Sequence, residues 1–223
     1  MIRALIFDFD GLIIDSETAI SATWIELYSS HGLAFPEYLF RRMVGTRDYD
    51  DLLWNDLSEQ TGQQLDIAVL EPARRARGVE LANRMQPLPG VLAQLEAAGR
   101  AGLALAVASS SSAWWVDGHL ERLGLAARFS AVCTKEVAAR TKPDPGVYLV
   151  ALERLGVAAQ HAVAFEDSQA GVAAAKAAGL RVVAVPGSFS EEMDFSAADL
   201  VVASLGEVDP TALWERLERL EQV

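Results

Sequence analysis

Short apolar runs alternate with longer amphipathic segments through the second half of the chain. The apolar runs predict strands at residues 103–108, 129–133, 161–165, 181–185 and 200–203. The segments between them show helical periodicity at about 113–123, 145–155 and 168–178. Gly124, Gly156 and Gly179 follow these segments, where a left-handed residue commonly ends a helix. Strands that alternate with helices of this length predict an α/β fold with a doubly wound parallel sheet.

The last helix has the clearest start in the sequence. Asp209 is a favoured N-cap residue, and Pro210 suits the first turn of a helix. The apolar positions of this segment follow helical spacing and predict a buried stripe of Leu213, Trp214, Leu217 and Leu220.

The first half of the chain departs from this alternation. Residues 4–7 (ALIF) predict a strand that is buried on both faces, but far more chain than one crossover needs separates it from residue 103. The interval has helical spacing at Ile20, Trp24, Leu27 and Tyr28, and again at Leu65, Val69, Arg77, Leu81 and Met85. PLPG at 87–90 then marks a turn. We therefore expect an inserted all-helical domain at residues 16–86 and a core domain formed by residues 1–15 and 87–223.

Composition narrows the classes of partner. The chain has 223 residues, 51% of them hydrophobic, and a formal net charge of −12, which argues against nucleic acid and anionic membranes. A phosphorylated substrate would need local positive charge or a metal ion. The single cysteine, Cys133, lies in an apolar stretch and is expected to be a buried thiol. With no targeting segment or membrane-length apolar run, we expect a cytoplasmic protein, and we expect a monomer.

Polar residues follow the predicted strands at the edge where a parallel sheet binds ligands. They are Asp8 and Asp10 after the first strand, Ser109 to Ser112 after the second, Lys142 further on, and Glu166 and Asp167. Individually, these residues could be turn formers, helix N-caps or a loop lysine. Together they are harder to explain in this way, because four acids near one edge repel one another and require a cation.

Mg²⁺ meets that requirement, because it binds carboxylates together with a substrate phosphate. One carboxylate could then attack phosphorus and form an acyl-phosphate. A second, two residues later, would lie on the same side of the extended chain and could exchange protons with the leaving oxygen and with water. Ser109, backbone N–H groups of its loop and Lys142 would stabilise the transferring phosphoryl group.

Four motifs in this order resemble the haloacid dehalogenase superfamily of phosphohydrolases. They are DFDG at 8–11, VASSS at 107–111, TKPDP at 141–145 and FEDSQAG at 165–171. The position of the helical insertion is similar to the branch that contains β-phosphoglucomutase-like and phosphoglycolate-phosphatase-like enzymes. The resemblance implies a Rossmann-like core with a helical cap and a Mg²⁺-dependent reaction on a small phosphorylated metabolite.

The same resemblance implies a role for each motif residue. Asp8 would be the nucleophile and a metal ligand, and Asp10 the general acid/base, with its backbone carbonyl on the metal. The other implied site residues are Ser109, Ser110 and Lys142 on the phosphate, and Glu166 and Asp167 at the metal. Dehalogenases of the superfamily lack the second acid, so Asp10 favours phosphate chemistry.

Two alternatives to a phosphatase stay open at this point. A sugar phosphomutase of the β-phosphoglucomutase type would carry a cap histidine where this chain has Ile20, and Lys-Asn where it has Ser112 and Ala113. A signalling receiver module also has a phospho-accepting aspartate and a lysine in a doubly wound fold, but the cap and Asp10 argue against it.

Several other residues have two interpretations. Arg47, in VGTRDYD at 44–50, resembles a substrate-binding cap arginine and could equally be solvated or salt-bridged. We expect Arg74, Arg75 and Arg77 to form a solvated helix face. Of the adjacent residues Trp114 and Trp115, one is expected to anchor in the core and the other to be partly exposed.

Overall fold

A six-stranded, fully parallel sheet forms the centre of the molecule. The computed structural model describes residues 1–42, 44 and 50–220. The strands are β1 (Ala4–Phe7), β2 (Ala104–Ala108), β3 (Ala131–Cys133), β4 (Ala162–Glu166), β5 (Arg181–Ala184) and β6 (Leu200–Val201). Their order in the sheet is β3-β2-β1-β4-β5-β6. The chain therefore winds outward in one direction from β1 and in the other from β4, which makes the carboxyl ends of these two strands the switch point where ligands bind.

Helices cover both faces of the sheet and fill the interval between β1 and β2. In the described part of the chain they are α1 (Ser16–Ser30), α2 (Glu37–Arg41), α3 (Asp50–Thr61), α4 (Ile67–Ala82), α5 (Val91–Ala101), α6 (Ala113–Arg122), α7 (Gly146–Leu155), α8 (Gln169–Ala177) and α9 (Pro210–Arg219). Helices α5, α6 and α9 pack on one face of the sheet, and α7 and α8 on the other. This arrangement confirms the predicted doubly wound α/β core with an inserted helical segment.

The two faces of the sheet differ in side-chain size. Because successive strand residues point to opposite faces, Leu5 and Phe7 of β1 join one apolar cluster, while Ala4 and Ile6 join the other. Phe7 stacks on Phe165 of β4 with ring centroids 4.8 Å apart. Alanine recurs on the opposite face, at Ala4 and at 106, 108, 162, 164 and 184. All four β1 side chains are fully buried, which holds the backbone that precedes Asp8 in a fixed position.

The inserted helices have an apolar core of their own. Its buried members are Trp24, Tyr28, Phe40, Val44, Leu53, Trp54 and Leu57. The Tyr28 hydroxyl lies 2.8 Å from both the Leu53 carbonyl oxygen and Asp56 Oδ2, which links α1 to α3. The division into a cap at 16–86 and a core at 1–15 and 87–223 stays a prediction, with which this separate cluster agrees.

Direct contacts join the end of α2 to the loop after β5. The Phe40 and Phe189 rings meet edge to face at 5.0 Å, and Arg41 Nη1 donates to the Ser188 carbonyl oxygen at 3.2 Å. The Arg41 guanidinium also lies over the Phe189 ring. These contacts place the end of α2 close to the carboxyl edge of the sheet.

The sequence patterns identified the strands and the helices after β2 correctly. They were less accurate about where each element ends and about which of its positions are exposed. Asp209 caps α9 as predicted, accepting from the Ala212 N–H at 2.9 Å, but Leu220 is half exposed because α9 ends at Arg219. Val69 was expected on the apolar face of α4 and is 65% exposed; Gly78 and Ala82 are buried on that helix instead.

Among the described residues, none of the helices combines the length and apolar character that crossing a membrane requires.

Candidate active site

Three neighbouring strands bring the predicted catalytic groups to one edge of the sheet. Asp8 follows β1 and Ser109 follows β2, while Glu166 is the last residue of β4. Phe7 is in register with Val107 on one side and with Phe165 on the other, so the three strands end at nearly the same level. The convergence expected from the four motifs is therefore present in the fold.

A buried ammonium group joins two of the predicted acids. Lys142 Nζ lies 2.9 Å from Asp8 Oδ1 and 2.6 Å from Glu166 Oε1, and its side chain is only 2% exposed. The Tyr148 hydroxyl donates to Glu166 Oε1 as well. Asp8 Oδ1 also accepts from the Phe9 N–H at 2.7 Å, which fixes the orientation of this carboxyl group.

The site holds more negative charge than Lys142 can balance. Oxygen atoms of Asp8, Glu166 and Asp167 all lie within 4.8 Å of one another. Burial and the nearby Glu166 raise the pKa of Asp8 to about 8, and Lys142 only partly opposes them. Burial, followed by the charges of Asp8 and Glu166, raises the pKa of Asp167 well above its usual value. Burial would lower the pKa of Lys142, but these carboxylates outweigh it and raise the pKa. Three buried carboxyl groups thus surround one ammonium.

The donor set fits a hard divalent cation. Mg²⁺ prefers carboxylate oxygens, and a cation among these three groups would offset the repulsion that, together with burial, raises the pKa values of Asp8 and Asp167. Two glycines make room for the acids: a Cβ atom on Gly11 would overlap the Asp167 carboxyl group, and one on Gly171 would overlap that of Glu166. Gly11 also has φ of +73°, a conformation that disfavours other residues.

The serine loop after β2 is ordered by its own hydrogen bonds. Ser109 Oγ accepts from the Ser111 N–H at 3.0 Å, and Ser110 Oγ accepts from the Lys142 N–H at 3.2 Å. The Ser109 N–H donates to the Cys133 carbonyl oxygen at 2.9 Å, which ties the loop to β3. Both predicted phosphate-binding serines line the same cavity as Asp8 and Lys142.

The side chain of Asp10 lies apart from the three-acid cluster and has its own set of donors. Ser16 Oγ and Trp115 Nε1 donate to Asp10 Oδ1 at 2.7 and 2.8 Å, and Ser111 Oγ donates to Oδ2. The metal role implied for Asp10 concerns its backbone carbonyl and stays a prediction. The sequence predicts only that one of Trp114 and Trp115 anchors in the core, and it does not indicate a bond to Asp10. In the structure Trp115 is half-buried and Trp114 is 70% exposed.

A cavity of about 550 Å³ joins the sheet edge to the inserted helices. The core contributes Asp8, Asp10, Asp167, the serines at 109–112 and Lys142, and the cap contributes Glu17, Ile20, Thr23, Phe40, Arg74, Arg75, Gly78 and Val79. Ile20, at the position of the mutase histidine, therefore presents an apolar side chain to the cavity. Arg47 lies outside the described residues.

The prediction that Arg74 belongs to a solvated helix face is wrong. Its side chain is 8% exposed, because it pairs with Glu71 at 2.9 Å and stacks over the Trp24 ring with the guanidinium carbon 4.2 Å from the centroid. Arg75 and Arg77 are more exposed, at 66% and 38%. Helical spacing alone did not separate them, since Arg74 and Arg77 are three residues apart and so share one side of α4.

Comparisons with known proteins agree with the motifs. A family model described as haloacid dehalogenase-like hydrolase matches residues 5–185. YhcW of Bacillus subtilis (strain 168), provisionally described as a phosphatase, is 37% identical over 221 residues, which cover 97% of this chain and 98% of YhcW.

Solved structures share the fold over nearly the whole chain. A Thermotoga maritima protein provisionally described as a β-phosphoglucomutase has a TM-score of 0.79 and 28% identity, covering 96% of this chain and 99% of that one. A variant of CbbY from Rhodobacter sphaeroides in complex with xylulose-(1,5)bisphosphate has a TM-score of 0.74 and 28% identity, covering 93% and 96%. The likeness therefore includes both the sheet and the inserted helices.

Proposed function

Since this chain belongs to the haloacid dehalogenase-like hydrolase family, in its β-phosphoglucomutase-like branch, we propose that it is a Mg²⁺-dependent phosphatase that forms an aspartyl-phosphate. The family and its relatives make the chain a phosphomonoester hydrolase. The observation that carries the finer proposal is the placement of Lys142 Nζ between Asp8 and Glu166, with the Asp167 oxygens close by. Asp8, Lys142 and Asp167 line a cavity large enough for a sugar phosphate.

In the first step, an Asp8 oxygen forms a bond to phosphorus while the ester P–O bond to the substrate breaks. Asp10, in its acid form, gives its proton to the leaving oxygen, so that the product departs as an alcohol. Lys142 and the N–H groups of the Ser109 loop stabilise the negative charge on the transferring oxygens. Asp8 is suited to attack, because its strand is rigid and its Oδ1 is already held by Lys142 and the Phe9 N–H.

In the second step, water attacks the phosphorus of the aspartyl-phosphate. The water gives a proton to the Asp10 carboxylate, the bond between phosphorus and the Asp8 oxygen breaks, and phosphate leaves. Asp10 thus returns to its acid form and Asp8 to its carboxylate, ready for another turnover.

Asp8, Glu166 and Asp167 are the residues that would hold Mg²⁺, together with the backbone carbonyl of Asp10. When bound, the ion would neutralise their charge and that of the substrate phosphate. The two close-fitting glycines, Gly11 and Gly171, support this assignment, since they let the acids approach one another in a space that any larger residue would fill.

A small phosphorylated sugar or a similar phosphomonoester is the proposed substrate. The xylulose bisphosphate bound to CbbY supports this class. The apolar Ile20 at the cavity wall supports release of phosphate over its retention for a mutase reaction, and the family match favours hydrolysis over the receiver alternative. We further propose that the protein acts in the cytoplasm as a monomer, without nucleic acid or membrane.

Carboxylate-to-amide variants test the proposal. With Mg²⁺ present, we expect Asp8→Asn to abolish phosphate release from a sugar phosphate, and Asp10→Asn to lower kcat by roughly 10²- to 10⁴-fold. Asp209→Asn, which changes the same chemical group at the start of α9, is the matched control and should retain wild-type turnover. With β-glucose 1-phosphate as substrate, free phosphate should exceed glucose 6-phosphate. Undiminished turnover by Asp8→Asn would refute the mechanism.

A further inference from the structure

We propose that Trp115 is a positioning residue that fixes the Asp10 carboxyl group for proton transfer to the leaving oxygen. This inference rests on the function proposed above, in which Asp10 is the general acid. Trp115 lies on α6, outside the four motifs, and its indole N–H donates to Asp10 Oδ1 at 2.8 Å. The residue is half-buried and packs against the large apolar cluster of the sheet.

Three elements hold the Asp10 carboxyl group from different directions. Ser16, at the start of α1, lies 2.7 Å from Oδ1, and Ser111, in the loop after β2, contacts Oδ2. Trp115 approaches Oδ1 from α6. Both serines carry hydroxyl groups, which can donate or accept a hydrogen bond, so neither fixes which oxygen of Asp10 is protonated.

The indole group differs, because its N–H can only donate. While Trp115 contacts Oδ1, this oxygen must act as an acceptor. Because Oδ1 accepts from both Ser16 and Trp115, the proton of the acid form of Asp10 belongs on Oδ2, which accepts from Ser111 Oγ through a lone pair and directs its own proton to the leaving oxygen. Trp115 in this way makes Oδ1 the hydrogen-bond acceptor and leaves Oδ2 as the oxygen that donates the proton.

The indole ring is itself held in place by neighbours on α6. The His119 ring packs edge to face against Trp115, with centroids 4.3 Å apart at 75°. Arg122 Nε lies 3.3 Å from His119 Nδ1, and Arg122 Nη2 donates to the Ala82 carbonyl oxygen at 3.4 Å. Residues 115, 119 and 122 share one side of α6, so this helix supports Asp10 through a packed row of side chains. Such support is what a group needs to transfer a proton with a fixed geometry.

The test compares two substrates that differ in their need for a general acid. An alkyl phosphate expels a basic alkoxide and needs a proton, whereas p-nitrophenyl phosphate expels a stable phenolate and does not. We expect Trp115→Phe, which retains a ring and removes the N–H, to lower kcat/KM for the alkyl phosphate by about tenfold or more, within the range of general-acid effects. The loss of kcat/KM for p-nitrophenyl phosphate should be under about threefold, because cleavage of this ester depends little on a proton from Asp10.

The ratio of kcat/KM for the two substrates is the decisive readout. This ratio reports on the steps up to transfer of the phosphoryl group to Asp8. It does not depend on the fraction of enzyme that is folded, because both substrates are measured on one sample. Trp115→Leu also lacks the N–H and should change the ratio in the same direction, so either variant that folds tests the proposal.

Trp214→Phe is the matched control. Its buried indole N–H donates to Gln94 Oε1 at 3.0 Å on the α9 side of the sheet, so it loses an equivalent hydrogen bond away from Asp10. We expect this variant to lose stability without a change in the substrate ratio. Equal losses for both substrates in the Trp115 variants, or no loss, would overturn the inference. These outcomes would not by themselves refute the proposed function. That function would still stand if Asp8→Asn is inactive in the same experiment.

Discussion

Gly171 is an example of a residue whose size is set by a neighbouring catalytic group. It lies within α8, where alanine would normally be preferred, yet a Cβ atom at this position would overlap both carboxyl oxygens of Glu166. Glu166 cannot easily move away, because it is fully buried and bonded to Lys142 and Tyr148. The glycine is thus part of the support for Glu166 at the proposed metal site.

We expect Gly171→Ala to destabilise the protein and to reduce activity at least tenfold, because it displaces Glu166 from Lys142. Misplacement of a catalytic group by about 1 Å can cost about 10²-fold. Gly99→Ala, in the interior of α5, is the control: nothing lies within 4 Å of its Cβ position. That variant should gain roughly 0.5–1 kcal/mol in free energy of unfolding and keep full activity. Chemical denaturation and kcat measurements check both, and a stabilised Gly171→Ala enzyme with full activity would contradict this account.

Individual site residues were predictable where chemistry and chain position coincide. Asp8 and Asp167 follow buried strands and Glu166 ends one, so the fold class alone places them at one edge. Trp115 was not predictable in the same way, because its bond to Asp10 depends on how α6 is rotated about its axis. The prediction of a solvated Arg74 was wrong for a related reason. Its partner Glu71 is on the same helix, but its burial depends on Trp24 of another helix.

At the level of elements, α9 shows how a short polar signal supports a large apolar contact. Asp209 accepts from the Ala212 N–H, and the helix then buries Leu213, Trp214 and Leu217 against the sheet. Apolar periodicity also located α6, α7 and α8 to within one or two residues, but it gave no bounds for the helices between β1 and β2. The exact ends differ, as at β6, where only Leu200 and Val201 pair with β5, because pairing depends on a neighbouring strand.

We expect Asp209→Ala to lower the free energy of unfolding by about 1 kcal/mol, since it removes the acceptor for a backbone N–H at the start of α9. Asp209→Asn keeps an acceptor and should fall within a few tenths of a kcal/mol of wild type. Urea unfolding followed by tryptophan fluorescence measures the difference. Equal stability of the alanine and asparagine variants would show that the cap contributes nothing here.

At the scale of the whole molecule, the acidic cluster sets function against stability. Asp8, Glu166 and Asp167 are buried near the centre of the sheet with a single lysine among them. The overall charge of −12 adds no positive counterweight. Without a cation, the fold must therefore either keep protons on these acids or accommodate like charges in its interior, and binding of Mg²⁺ should stabilise it by mass action.

We expect Mg²⁺ to raise the Tm of the wild-type protein more at pH 8 than at pH 5. Burial and Glu166 raise the pKa of Asp8 from 3.8 to about 8 in the metal-free fold, so the folded state retains a proton that the unfolded chain releases. The stability of the metal-free protein thus falls as pH rises between these values, and the cation offsets this loss.

Asp167→Asn should raise the Tm of the metal-free protein at pH 8 and reduce its response to Mg²⁺. For a chain of this size, each kcal/mol corresponds to about 2–4 °C. Asp209→Asn should respond to Mg²⁺ like the wild type. Thermal melts with Mg²⁺ and with a chelator distinguish these cases, and an identical response of Asp167→Asn and wild type would exclude Asp167 as a ligand.

The global arrangement was predictable because it follows from strand alternation and the long interval between β1 and β2. Substrate choice was less accessible from the sequence, since it depends on which cap side chains face the cavity. Ile20 and Val79 face it from separate helices, and their relation appears only when α1 and α4 pack together.

The pairing of β1 with β4 also has a consequence for protein synthesis. Ala162, the partner of Ala4, is added to the growing chain long after Ala4, once β2 and β3 have both been made. Until then one edge of the nucleophile strand has no neighbour, and Asp8 has neither Glu166 nor Asp167 beside it. Under the proposed mechanism, catalytic competence therefore arises only once β4 has been made, and a chain interrupted before residue 162 carries the proposed nucleophile without the means to use it.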